Sequence, residues 1–462
     1  MIGAFAQFTL PQPPISLDFS LSQIKPQLIH KEIYMDFLYK NKKNIATGLI
    51  AFILFARCNL GVTLGTSVVL VNLLADGLAF LFCGLLLLKD GATTKKGLIN
   101  AGTLWVILFT ALVFVYGTFN IGTCNTDIFS RQLILLTVVP PVLIMIMLTH
   151  NSQDIIDILS RAGAVVIVTT LITSLIYDDV WKEWVTGVIS ESRTGATPAG
   201  TCVDTGNLML IMLIPIIYQI FINRAYKAYI WAAVLGIFEI FASASKSSMF
   251  PLVLVFAIMI IGAAKDKKVL RRNIIILIIV AIAGLIALMT VPALYRIIGN
   301  RIVELFTSFG AKEYDLHTST GQRQAISAAV KEHFWENPIF GHGFYAFKEM
   351  PYSQLEEYKV NGQVMYRHIQ THNNFYELLF SFGIVGAIIY YWFPVKLIVN
   401  TVKTKDKAAL LLVSSFLISF LAMDMGIDMF YKYMTPYFTY LVCYCLLRRS
   451  QTGGAAPLKE EK

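Results

Sequence analysis

Long runs of apolar residues, separated by short charged segments, recur along most of the chain. A helix needs roughly 20 predominantly apolar residues to cross the hydrocarbon core of a bilayer. The pattern therefore predicts an all-α integral membrane protein with about 12 transmembrane helices. The candidate spans lie near residues 45–64, 67–88, 98–119, 130–148, 159–177, 206–222, 229–244, 248–264, 273–292, 373–395, 408–423 and 430–447. The short seventh and eighth spans could instead form a re-entrant hairpin.

The composition excludes a soluble domain, since 56% of the residues are hydrophobic, 15% are charged and the mean hydropathy is +0.64. Most of the 38 lysines and arginines lie in short segments that face one side, if the N-terminus is cytoplasmic. Examples are KNKK, KDGATTKK, KDKKVLRR and KTKDK. Such a bias marks the cytoplasmic side of a membrane protein. The net charge of +9 is thus explained by topology and implies no nucleic acid.

These observations predict the organisation of the chain. We expect a cytoplasmic N-terminal arm over 1–43 and spans 1–9 over 44–292. A long outer loop follows over 293–372, then spans 10–12 over 373–447 and a cytoplasmic tail over 448–462.

The outer loop is expected to be folded. Ile326, Val330 and Phe334 recur at helical spacing with polar residues opposite, and Asn337-Pro338 ends the pattern. This amphipathic helix either covers a cavity at the outer face as a lid or lies on the membrane surface to bury Ile326 and Trp335.

Four motifs follow one another from the loop into span 10: TGQR, an amphipathic helix with a tryptophan, NPIFGHG, and HNNFYELLFSFGIVG. Their order, and the position of the loop between spans 9 and 10, resemble the O-antigen ligase and O-antigen polymerase superfamily. His372, Asn373, Gly383 and Gly386 fit the last motif without a gap. The two glycines were expected to allow close packing of helices.

The resemblance implies a glycosyltransferase in the bacterial inner membrane, with no cofactor and no metal. Such an enzyme takes a glycan from undecaprenyl diphosphate and passes it to an acceptor hydroxyl at the outer face. A polymerase would use a second lipid-linked glycan as acceptor, whereas a ligase would use a lipid core or a protein. A polysaccharide flippase or proton-coupled transporter is the alternative from another class. The folded outer loop favours the enzyme, because transporters bind their substrates near the bilayer midplane.

His372 is the candidate general base, since neutral imidazole accepts protons near neutral pH and a helix N-terminus disfavours the imidazolium. The family pattern nominates Arg193 and Lys246 to hold the departing diphosphate, although Lys246 stands where the family has arginine. Arg323 is the candidate for the acceptor's diphosphate, and Asn373 is a candidate substrate contact. Either Asn373 or Asn374 can cap the helix, and one of them can also hold the imidazole ring. The alternatives are that Arg193 and Arg323 are ordinary solvated charges, and that His372 only caps the helix.

Two further features left alternatives open. His368 lies four residues before His372, a spacing that suits zinc, although no third ligand is evident. Asp424 and Asp428 would share a helix face, either as proton carriers of a transporter or as a turn balanced by Lys432.

Overall fold

A computed structural model describes residues 37, 40–60, 66–90, 100–125, 152–185, 193–290, 295, 299, 303, 316, 319–360, 363–430 and 435–451. Everything below concerns these residues. The predicted span at 130–148 and nearly all of the N-terminal arm and C-terminal tail lie outside them.

The described part is almost entirely helical. Its helices are α1 (Lys42–Phe55, continued by a π-helical turn, Ala56–Leu60), α2 (Thr66–Asp90), α3 (Ala101–Phe119), α4 (Ser152–Tyr177), α5 (Val180–Val185), α6 (Cys202–Phe221), α7 (Tyr226–Ala242), α8 (Lys246–Gly262), α9 (Lys267–Thr290), α10 (Ser319–His333), α11 (Asn374–Lys403), α12 (Lys407–Asp424) and α13 (Thr435–Gln451). Two strands, β1 (Gln354–Val360) and β2 (Gln363–His368), form an antiparallel hairpin in the outer loop.

The prediction of an all-α membrane protein is confirmed. Every predicted span that falls on described residues coincides with a helix. Within the described residues, 6 helices are long and apolar enough to cross a membrane. Helices α7 and α8 are separate helices of 17 residues each, joined by Ser243–Ser245. At about 1.5 Å per residue, such a helix is just long enough to span a bilayer.

Helix α6 is the centre of the bundle and packs against α4, α7, α8 and α12. Every residue from Thr205 to Gln219 is buried. A second contact region is aromatic: the Trp105 ring of α3 stacks on Phe393 of α11 with centroids 4.9 Å apart and also contacts Tyr437 of α13. Its indole N–H donates to the carbonyl of Tyr390 at 2.8 Å, so the polar atom of this buried ring is satisfied.

The outer-loop helix α10 packs on protein. Ile326 and Val330 are buried in a cluster with Phe347, Ile369 and Phe380 of α11. Trp335, by contrast, is 74% exposed. The alternative in which the helix buries Ile326 and Trp335 together against lipid therefore does not describe α10, whose apolar face contacts the start of α11.

Helix α11 is interrupted at Gly383, which has a φ of 63° and a ψ of −163°. The loop segment 338–343 lies in the gap and supplies the hydrogen bonds that the broken helix lacks. His342 and Gly343 N–H groups donate to the carbonyls of Phe380 and Ser381 at 2.8 and 3.0 Å. The N–H of Ile384 donates to the carbonyl of Pro338 at 2.9 Å. This pairing fastens the NPIFGHG segment to the membrane helix.

The close approach also explains why the motif contains glycines. A Cβ on Gly341 would lie 2.5 Å from the Ser381 backbone, and one on Gly383 would lie 2.3 Å from the Ile339 carbonyl oxygen. The expectation that Gly383 serves close packing between helices is therefore corrected: it serves a break in one helix. Gly386 lies one turn further on, where a Cβ would meet the Phe382 side chain.

We predict that Gly341→Ala destabilises the protein by about 2 kcal/mol or more, because its φ of 75° is costly for alanine and its Cβ would meet fixed backbone. Gly48→Ala is the control, since a Cβ there meets nothing within 4 Å and alanine favours a helix. Thermal unfolding of both variants in detergent measures the difference. Equal midpoints for Gly341→Ala and the unmodified protein would contradict the pairing of the loop with α11.

Candidate active site

His372 stands at the junction between the outer loop and α11. Its backbone adopts a left-handed conformation with a φ of 50°. The next residue, Asn373, is the N-cap of α11, and its side-chain oxygen accepts from the N–H of Tyr376 at 3.1 Å. The prediction that an asparagine caps this helix is confirmed for Asn373. The imidazole is thus positioned at the positive end of a helix dipole.

The capping region is tied to the chain that follows α12. The side-chain nitrogen of Asn373 donates to the carbonyl of Met425 at 3.4 Å. The side-chain oxygen of Asn374 accepts from the N–H of Phe430 at 2.7 Å. The start of α11 and the segment 425–430 therefore form one unit.

A second helix N-terminus reaches the same segment. Lys246 is the first residue of α8 and is half-buried. Its neighbour Ser247 lies close to Gly426: a Cβ on that glycine would be 3.5 Å from the Ser247 Cβ. Lys246 therefore lies at a helix start, next in sequence to the residue that approaches Gly426.

A third helix N-terminus, that of α6, meets the turn that precedes α8. The hydroxyl of Ser247 donates to the side-chain oxygen of Asn207 at 3.0 Å. A Cβ on Gly206 would lie 2.4 Å from the Ser243 hydroxyl, so only glycine allows this approach without rearrangement. Three helix starts thus lie in one connected region.

Arg323 of the outer-loop helix α10 reaches the same place. One of its guanidinium nitrogens lies 3.8 Å from the Cβ position of Gly426. The structure therefore brings together Arg323, the Lys246–Ser247 turn and Asn373 around residues 425–426, although they come from separate parts of the chain. Each helix N-terminus carries partial positive charge, and together with Arg323 and Lys246 they form a region suited to a phosphate group.

Arg193 joins this region through α6. Its side chain interacts with that of Cys202, the first residue of α6. The N–H of Thr194 donates to the carbonyl of Ala242, at the end of α7, at 3.3 Å. Asp178 fixes the following residues by accepting from the N–H of Gly195 at 2.8 Å. Arg193 therefore lies beside the helix start that contacts the Lys246–Ser247 turn.

His368 has a structural role in the hairpin. Its Nδ1 lies 2.6 Å from the hydroxyl of Ser353, and its Nε2 lies 2.8 Å from the side-chain nitrogen of Gln354. Among the described residues, no group of three or more His, Cys, Asp or Glu side chains could hold a metal ion.

The end of α10 carries a small acid–base pair. His333 Nδ1 lies 2.7 Å from a carboxylate oxygen of Glu336, and this hydrogen bond holds the pKa of the Glu336 carboxyl below its usual value. The His333 ring also stacks on Tyr352 with centroids 4.0 Å apart, and burial raises the pKa of that phenol. The pair fixes the end of the outer-loop helix against the hairpin.

The sequence analysis did not single out Arg57. This residue lies on the π-helical turn after α1, is 10% exposed and forms an ion pair with Asp76 of α2. It lines a cavity together with Asp204 and Asn207 of α6 and with Met429. In the sequence, Arg57 is a single arginine within an apolar run. A charged residue in such a run usually marks a functional position in a membrane helix.

The sequence analysis also missed how Asp424 and Asp428 are used. Both are fully buried. The first lies at the end of α12 and accepts from the hydroxyl of Tyr391 at 3.1 Å. The second lies beyond α12 and accepts hydrogen bonds from residues on both sides of His372. The two aspartates therefore have different hydrogen-bond partners and do not form one face of a helix.

The region that holds most of these residues can be compared with known families. Residues 231–391 match the O-antigen ligase family. The matched range includes Lys246, Arg323, His372 and Asn373, whereas Arg193 and the aspartates lie outside it. The resemblance predicted from the ordered motifs is thereby confirmed over residues 231–391, and the chain is a multi-pass membrane protein. No curated protein matches the chain.

Proposed function

We propose that the protein is a membrane glycosyltransferase that polymerises oligosaccharide repeat units linked to undecaprenyl diphosphate. The observation that carries this proposal is the convergence of two helix N-termini, those of α8 and α11, and of Arg323 on residues 425–426, next to the histidine of the O-antigen ligase motif. Helix α6 is joined to this region through the hydrogen bond between Ser247 and Asn207. Such a region suits a reaction in which a diphosphate departs and an acceptor loses a proton. We place it at the outer face of the bacterial inner membrane, with both termini in the cytoplasm.

The reaction assigned to this site is a displacement at an anomeric carbon. The acceptor hydroxyl oxygen forms a bond to C1 of the donor sugar, and the bond between C1 and the phosphate oxygen breaks. The bonding electrons leave with undecaprenyl diphosphate, and His372 takes the proton of the acceptor hydroxyl. Lys246 and Arg193, together with the starts of α6 and α8, stabilise the charge that develops on the leaving group.

A polymerase must hold two lipid diphosphates at once, because donor and acceptor are both lipid-linked. The site has cations on two separate elements that suit this need. Lys246 and Arg193 belong to the membrane bundle, whereas Arg323 belongs to the outer-loop helix that packs on α11. We assign the first two to the departing diphosphate and Arg323 to the acceptor's diphosphate. Asn373 caps α11 and is the proposed polar contact for the glycan.

The decisive experiment supplies the purified protein with one synthetic undecaprenyl-diphosphate repeat unit and no other acceptor. We expect a ladder of longer lipid-linked glycans, with undecaprenyl diphosphate released in proportion to the bonds formed. Transfer of one preformed glycan only when a lipid core or a protein is added would replace the polymerase with a ligase. Absence of transfer with every acceptor would refute the glycosyltransferase.

We predict that His372→Ala lowers the transfer rate by ~10²–10⁴-fold, because it removes the general base. Binding of the lipid-linked donor should persist, since the cationic contacts remain. A fluorescent donor analogue measures binding, and release of undecaprenyl diphosphate measures transfer. Transfer at the unmodified rate would exclude His372 as the base.

For the diphosphate contacts, we predict that Lys246→Ala and Arg323→Ala each lower transfer by ~10²-fold, as expected when a stabilising charge is lost. Lys246→Arg should keep activity, because arginine provides charge and a fork that binds phosphate. Lys331→Ala is the matched control, since it removes an exposed cation from the same helix as Arg323. Equal activity in Arg323→Ala and Lys331→Ala would show that Arg323 is an ordinary surface charge.

A further inference from the structure

Asp428 holds the backbone on both sides of His372. One of its carboxylate oxygens accepts from the hydroxyl of Thr371 at 2.6 Å and from the N–H of Asn373 at 2.8 Å. The carboxylate is fully buried, and a charged acceptor makes strong hydrogen bonds in such surroundings. The left-handed backbone of His372, which is unfavourable for most residues, is therefore fixed by one buried side chain.

The other oxygen of Asp428 begins a chain of polar groups that ends at the imidazole. It lies 3.3 Å from the hydroxyl of Tyr345. That hydroxyl donates to the Gln370 side-chain oxygen at 2.7 Å, and the amide nitrogen of Gln370 lies 3.4 Å from Nδ1 of His372. Tyr345 is fully buried, whereas Gln370 and His372 are half-buried.

We propose that Asp428 is a positioning residue that fixes the tautomer of His372 through Tyr345 and Gln370. The inference rests on the proposed function only for its effect on catalysis. In the proposed arrangement the Asp428 oxygen accepts, and the single hydroxyl proton of Tyr345 goes to it. The phenol oxygen then accepts from the Gln370 amide nitrogen, after half a turn of the amide exchanges its two ends.

This arrangement determines which imidazole nitrogen of His372 carries the proton. The Gln370 carbonyl oxygen accepts the proton on Nδ1 of His372, so Nε2 keeps its lone pair. A lone pair on Nε2 is what a general base needs to remove the proton of the acceptor hydroxyl. The buried aspartate therefore gives the histidine both its backbone conformation and its protonation pattern.

The variant Asp428→Asn reverses this order. The asparagine oxygen can still accept from Thr371 and from the N–H of Asn373, but its amide nitrogen donates to the Tyr345 hydroxyl. That hydroxyl then donates to the Gln370 oxygen, the Gln370 nitrogen donates to Nδ1, and the imidazole proton moves to Nε2. We expect kcat to fall by ~10²–10⁴-fold while donor affinity stays within about twofold, as expected for a base held in the wrong tautomer.

The test reads the tautomer directly by ¹⁵N NMR of histidine-labelled protein in detergent. His372→Gln identifies the His372 signals by their loss. We expect a protonated Nδ1 in the unmodified protein and a protonated Nε2 in Asp428→Asn. Glu239→Gln is the matched control, because it replaces another buried carboxyl group, one on α7 that belongs to none of these hydrogen bonds. It should keep the unmodified tautomer and kcat.

Tyr345→Phe provides a second variant that leaves the contacts of Asp428 with Thr371 and Asn373 intact. It should make the His372 tautomer mixed and lower kcat, with the unfolding midpoint nearly unchanged. The same tautomer in the unmodified protein, Asp428→Asn and Tyr345→Phe would overturn the proposal. If the tautomer changes as expected but the protein has no transfer activity, the result supports the hydrogen-bond chain from Asp428 to His372. The same result refutes the proposed function.

Discussion

The structure depends on a rule of the membrane interior: a backbone group that leaves a helical hydrogen bond must find another partner in the protein. Helix α11 breaks at Gly383, and the loop segment 338–343 supplies the missing partners. The same segment pairs on its other side with the end of α3, where the N–H of Thr123 donates to the carbonyl of His342 at 2.7 Å. The backbone of segment 338–343 thereby holds α3, α11 and the outer loop together.

This arrangement explains how the loop between α9 and α11 can hold candidate site residues in fixed positions. Once the loop is fastened to the break in α11, the outer-loop helix α10 packs its apolar face on Phe380, just before the break. Arg323, one turn before Ile326 on α10, then lies near Gly426. The position of a cation that belongs to a loop thus follows from backbone hydrogen bonds within the membrane bundle. Sites supported by rigid elements in this way lose less freedom when substrate binds.

The helices could be predicted from sequence because each membrane span must satisfy the length criterion independently of its neighbours. The outer-loop helix was also predictable, since its apolar spacing is local. The hairpin was not expected, although Asn361-Gly362 between Val360 and Gln363 is a strong hairpin signal. Apolar periodicity does not reveal these strands, because they are short and largely polar.

The contacts of the site could not be predicted in the same way. Hydropathy gives Asp428 no special status beyond its cost in an apolar segment, and its partners lie 55 to 83 residues away in the chain. The convergence of α6, α8 and α11 depends on which helices pack side by side, and no local pattern carries that information. His372 was predicted because its motif is contiguous, whereas the network that surrounds it exists only in the folded chain.

The lysine at position 246 can be understood from the same geometry. An arginine fork is needed where a single side chain must fix the orientation of a phosphate. At position 246 the side chain begins a helix and lies beside the start of a second one, so backbone N–H groups and their partial charges already define where an anion sits. Under the proposed function, a point charge is then sufficient at position 246 and does not have to orient the ligand. The proposal assigns directional recognition to the guanidinium of Arg323, which reaches Gly426 from α10.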